Sequence, residues 1–140
     1  MRQTYYGVRS TVYQQLEKDI NLYSQLTRNL YNRALGKDQK QAVLTEKEAL
    51  KATIQQQLSN SGIILGFLNS EQIEEVETEI ENISSEELKG ILRSNFIPYF
   101  QLESLIVSLS TIRETAALTN LIFFLERAKQ NEQNIIVWIM

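Results

Sequence analysis

The chain has 140 residues, 43% of them hydrophobic and 22% charged, with five Gly, one Pro and a net charge of −3. That is enough for one domain with its own core, and too apolar for a disordered or fibrous chain. Neither Cys nor His is present, which excludes disulfides and thiolate catalysis and leaves acid–base or metal chemistry to carboxylates, Lys, Arg, Tyr and hydroxyls.

Few helix breakers among many Leu, Gln, Glu and Ile predict an all-α fold. The expected architecture is an elongated antiparallel bundle of four to six helices with long first and last helices, covering residues 1–140 as a single domain. The longest apolar runs, Gly62 to Leu68 and Ile135 to Met140, fall well short of the roughly 20 residues a spanning helix needs. The N-terminal residues lack the apolar stretch of a signal peptide. A soluble, cytoplasmic protein without membrane association is therefore expected.

Charge is segregated along the chain. Residues 1–58 carry nine Lys or Arg against five acids, a net +4, whereas residues 59–90 carry one Lys against eight Glu, a net −7. Such neighbouring segments either pack together or meet a partner of opposite sign.

From Gln3 to Leu35, the residues Tyr5, Val8, Val12, Leu16, Ile20, Tyr23, Leu26, Leu30 and Ala34 recur at three- or four-residue spacing, which predicts one long amphipathic helix. Tyr6, Tyr13 and Tyr31 widen its apolar face, and Gly36 stands where a C-cap is expected. A second helix starts at Asp38 or at the Thr45/Glu48 capping pair and buries Leu50, Ile54 and Leu58 before the turn-favouring Ser59 to Gly62. Ile63 to Leu68 reads as a buried helical turn. Asn69 or Ser70 begins an acidic helix with Ile73, Val76, Ile80 and Ile83 inward and Glu71, Glu74, Glu75, Glu77, Glu79 and Glu81 outward. Ser84 with Glu87 opens a short helix that ends by Ile97, because Pro98 biases its predecessor away from helix.

Pro98 to Gln130 carries two apolar stripes, one through Leu102, Leu105, Leu109, Ile112, Ala116 and Phe123, the other through Phe100, Val107, Leu118, Leu121 and Leu125. It is expected to be the central helix, with Ser108 to Thr111 its weakest point. The tail Ile135 to Met140 is apolar and largely β-favouring, and needs cover from this fold or from a partner.

No Gly-rich phosphate loop, nucleophile elbow or Glu-x-x-His metal motif occurs. The Glu run lies opposite an apolar stripe, as a solvated face does, so no cofactor, metal or enzymatic activity is expected. The expected function is that of a non-enzymatic interaction module or adaptor, contacting a protein partner or a second copy through Trp138, Ile136, Phe124 and Tyr31. The alternative is a subunit of a nucleoprotein complex, with Arg28, Arg33, Lys37, Lys40, Lys47 and Lys51, beside Tyr23 and Tyr31, gripping a phosphate backbone.

Overall fold

Tyr5, Tyr6 and Val8 do not open a helix. They belong to a strand, β1 (Arg2–Val8), and their helix-like spacing to Val12 is a coincidence that runs across an element boundary. Aromatic and β-branched side chains favour the pleated surface, and the first helix, α1, begins only at Ser10. The computed structural model describes residues 1–139; of the apolar tail, Met140 lies outside the described residues.

The all-α elongated bundle is thereby corrected to a mixed α/β fold. Six α-helices accompany a four-stranded antiparallel sheet among the described residues. Strand β2 (Ile63–Asn69) is the run expected to be a helical turn, β3 (Phe96–Ile97) is very short, and β4 (Asn134–Ile139) is the apolar tail. The sheet order is β2-β1-β4-β3. A short apolar run satisfies helix and buried strand equally well, and only its pairing settles which forms.

The chain divides into two compact units. The first, Met1–Ser10 with Ile63–Met140, holds the sheet and the helices α3 (Ser70–Ile80), α4 (Glu86–Arg93), α5 (Leu102–Ser110) and α6 (Ala116–Gln130). Its core joins Tyr5, Leu65, Leu68, Ile97, Ile135 and Val137 on one sheet face to Val76, Ile80, Leu105, Leu118, Leu121 and Leu125 from the helices. Burial of each such Leu or Ile contributes about 1.5–3 kcal/mol. The other face of β4 is buried as well, at Ile136 and Trp138.

Side-chain caps set the helix starts. Asn69 and Gln72 exchange reciprocal hydrogen bonds, each side-chain oxygen accepting from the other's backbone N–H at 2.9 Å. Ser85 accepts from Leu88 N–H and Thr115 from Leu118 N–H, each at 3.2 Å. The long C-terminal helix is in fact broken, since α5 ends at Ser110 and Thr115 caps α6. Leu102, Leu105 and Leu109 stay buried while Phe100, Val107 and Phe123 are exposed, so only part of each expected stripe reaches the core.

The second unit, Thr11–Gly62, is the connection between the paired strands β1 and β2, and is made of α1 (Ser10–Asn29) and α2 (Lys37–Ser61). Leu16, Ile20, Leu26, Ile54 and Leu58 are its buried apolar residues. Asp19 accepts hydrogen bonds from Gln15 of its own helix and from Gln57 of α2, each at 3.2 Å. Gly36 precedes α2 instead of closing α1, and its N–H donates to Gln39 Oε1 at 2.8 Å.

Candidate interaction surface

The two edges of the sheet are finished differently. On the β3 side, Asn95 continues the ladder past the strand: its carbonyl accepts from Val137 N–H and its side-chain amide donates to Val137 O, both at 2.8 Å. Asn134 Oδ1 then accepts from Tyr99 N–H at 2.8 Å. Strand β2 is the other edge, with no strand on its outer side among the described residues.

Gly62 immediately precedes β2. Its N–H closes the last turn of α2 on Leu58 O, and its extended backbone starts the strand. The sequence Ile63-Ile64-Leu65-Gly66-Phe67-Leu68-Asn69 then contains no charge and no Pro. A bulge interrupts its pairing with β1, so that Ile64 faces Tyr6 and Gly66 faces Tyr5, with Leu65 as the extra residue. Gly66 has φ +157°, and a Cβ there would stand 2.1 Å from the Phe124 ring. The missing side chain lets Phe124 lie against the sheet beside Tyr5, ring centroids 5.3 Å apart. Arg127 donates to Leu65 O at 3.2 Å and pins the bulge from the helix side.

The bulge leaves Leu65 and Leu68 in the core and puts Ile64 and Phe67 on the opposite face, 59% and 51% exposed. Ile63, paired with Gly7 on the opposite face, is half exposed. Edge strands ordinarily carry Lys, Pro or a cover against unwanted pairing; β2 carries neither Lys nor Pro and has a bulge. Arg2 lies over the outward Phe67 ring, 4.9 Å from its centroid. Directly after β2 comes acidic α3. Its Glu77 and Glu81 are bound by Arg93, whose pKa is raised first by the hydrogen bond to Glu81. Glu71, Glu74 and Glu75 are exposed and make no ion pair among the described residues. Glu79, expected outward, is buried and its carboxylate accepts from the Asn82 amide at 3.4 Å.

The residues expected to bind a partner are dispersed. Ile136 and Trp138 are buried in β4, and Phe124 is buried under Gly66. Tyr31 is 82% exposed in the turn between α1 and α2. Of the basic set, Arg28, Arg33, Lys37 and Lys40 are exposed, while Lys47 and Lys51 are half-buried. The Lys47 ammonium stands 5.2 Å from the centre of the Tyr23 ring. Lys37 and Lys40 line an open groove of about 500 Å³ with Leu30, Leu35, Gln41 and Leu44. Tyr13 of the same unit has its pKa pushed up to about 12, mainly by burial and then by Glu17.

Sequence reasoning missed Ile63, Ile64 and Phe67 because it placed them inside. The available signal was Gly62 and Asn69 bracketing a short run that contains a central Gly, a strand and bulge pattern. Among the described residues, no group of three or more acidic side chains is placed to hold a metal ion, and no helix is long and apolar enough to cross a membrane. Comparison with protein-family models, curated proteins and solved structures found no match.

Proposed function

We propose that this chain is a non-enzymatic protein-association module whose contact surface is the open β2 edge. The observation that carries the reading is an uncharged edge strand with Ile63, Ile64 and Phe67 at least half exposed. Outward backbone groups supply hydrogen bonds to an added strand, and alternate side chains supply selectivity. Phe124, Ile136 and Trp138, being interior, act on this reading as the support behind the edge.

The test is co-purification from the native cell with wild-type chain and with Ile64→Lys and Phe67→Lys variants whose folding is checked by circular dichroism. A polypeptide recovered in stoichiometric amount with wild type and lost with both variants is expected. Recovery of the same polypeptide by all three chains overturns the reading.

A second reading, a nucleoprotein subunit, is favoured by one observation: among the described residues, none of the ion pairs involves Arg28, Arg33, Lys37 or Lys40. These cations are open to phosphates. Retention of single-stranded RNA or DNA, lost on raising salt and on replacing Lys37 and Lys40 by Gln, is its expected outcome; no retention at low salt removes it.

A further inference from the structure

We infer that the groove between the turn after α1 and the start of α2 binds a free amphipathic anion, an aliphatic chain carrying an anionic headgroup. The inference is independent of the β2 edge: every residue of the groove belongs to the Thr11–Gly62 unit. It competes with the nucleoprotein reading for the same lysines.

Six residues line this groove of about 500 Å³. Leu30 and Leu35 come from the turn after α1, and Lys37, Lys40, Gln41 and Leu44 from α2. The α2 residues are three or four apart and so share one helix face. Leu44 is 39% exposed, so the apolar lining meets solvent. Both charged groups of the lining are ammoniums, and Asp38, the one acid among residues 28–40, is not part of it. Neither lysine takes part in an ion pair among the described residues. They stand in the first turn of α2, at the positive end of its dipole, where a cation is disfavoured. Helix stability therefore does not account for them, whereas an anion brought into the groove does.

The lining also selects the kind of anion. Ammoniums donate and cannot accept, so the headgroup must offer oxygens. The three leucines favour an aliphatic chain and present no aromatic face on which a base could stack; the exposed Tyr31 lies outside the lining. A stable protein interface takes about 20–30 residues a side, and only six line the groove. Its volume falls instead within the roughly 300–1,000 Å³ of sites for single small ligands.

The test titrates the whole protein at low salt with decanoate below its micelle concentration, and separately with acetate, decyltrimethylammonium, oligothymidylate and a Leu/Glu peptide. Amide shifts at Leu30 to Leu44 report the site. Decanoate is expected to bind at least about tenfold more tightly than acetate, since covering two methylene groups is enough for that factor. It should exceed decyltrimethylammonium by a similar margin, because the lysines repel a cationic head. Replacing Lys37 and Lys40 together by Gln should weaken decanoate by about tenfold, and Leu44→Ser should weaken it by roughly threefold. All three positions are exposed, so thermal melting should not change. Equal affinity for decanoate and acetate overturns the aliphatic half of the inference, and equal affinity for decanoate and decyltrimethylammonium the anionic half. Decanoate that leaves Leu30 to Leu44 unshifted, or binds the double lysine variant as tightly as wild type, overturns the whole. Oligothymidylate binding this stretch at least as tightly as decanoate makes a nucleic acid the occupant, the Leu/Glu peptide doing so makes it a polypeptide, and either result overturns the inference.

Discussion

Tyr6 has an isoleucine on either side of it in the sheet, Ile64 from β2 and Ile136 from β4. Both are paired with the same residue and lie on the same face, yet Ile64 is 59% exposed and Ile136 is 0% exposed. Composition and local sequence do not separate them. Their strands differ in position: β4 is flanked by β1 and β3, whereas β2 pairs with β1 alone among the described residues. A short apolar run therefore does not report whether its residues end up covered or exposed; their place in the fold decides it.

The sharpest way to break this comparison is to make the same truncation in the central strand. Ile136→Ala removes buried methyl groups from a fully covered position and should cost about 2–5 kcal/mol in urea unfolding. A loss below about 1 kcal/mol would mean that β4 is not the packed centre and that the contrast with β2 is empty.

Gly66 tests what holds the open edge in shape. Gly66→Ala combines a backbone angle that L-residues avoid with a collision against the Phe124 ring, for an expected cost of about 1–3 kcal/mol. Thermal melting of Gly66→Ala in a Phe124→Leu background separates the two contributions. The ring collision is relieved there and the backbone strain remains, so the cost should fall without vanishing.

These two sites also show how far the sequence could be read. The helices α2, α3, α4 and α6 were legible in outline from their apolar periodicity, a local property, whereas the starts of α2 and α4 fall at Gly36 and Ser85 instead of the expected Asp38 or Thr45 and Ser84. Asn69 as a cap and Pro98 as a boundary are direct consequences of side-chain and ring chemistry. The sheet was not legible, since Tyr5 and Val8 continue the helical spacing of α1 and β2 pairs with β1 only across the intervening Thr11–Gly62 unit. That pairing is non-local, and no window of sequence contains both partners. For the same reason Trp138 and Phe124 read as contact residues: their aromatic character was visible, but their burial depends on strands and helices elsewhere in the chain.

Tyr5 provides a pH-dependent probe of the buried side of β1, on the face opposite Tyr6. Burial raises its pKa above the usual 10.0, and its hydroxyl donates to Gln3 Oε1 at 3.1 Å. Below the unfolded value the phenol is neutral in both states and costs nothing. Above it the unfolded chain releases the proton while the folded chain retains it, so stability falls by up to about 1.4 kcal/mol per pH unit. Tyr5→Phe lacks this loss. The stability difference between wild type and Tyr5→Phe should hold up to about pH 9 and shift towards the variant by about pH 11. A constant difference over that range would show that Tyr5 is not enclosed.

The smallest effect is expected at the partner of the first comparison. Ile64→Ala deletes methyl groups that are already largely in water, so its stability should stay within about 0.5 kcal/mol of wild type, the usual range for surface substitutions. The informative result is the pair of measurements. If Ile64→Ala weakens binding of an added strand while leaving the urea midpoint in place, its side chain serves recognition and Ile136 serves packing, although Tyr6 touches the same face of both strands. If instead Ile64→Ala lowers stability as much as Ile136→Ala does, β2 is covered in solution and its exposed edge cannot be the contact surface.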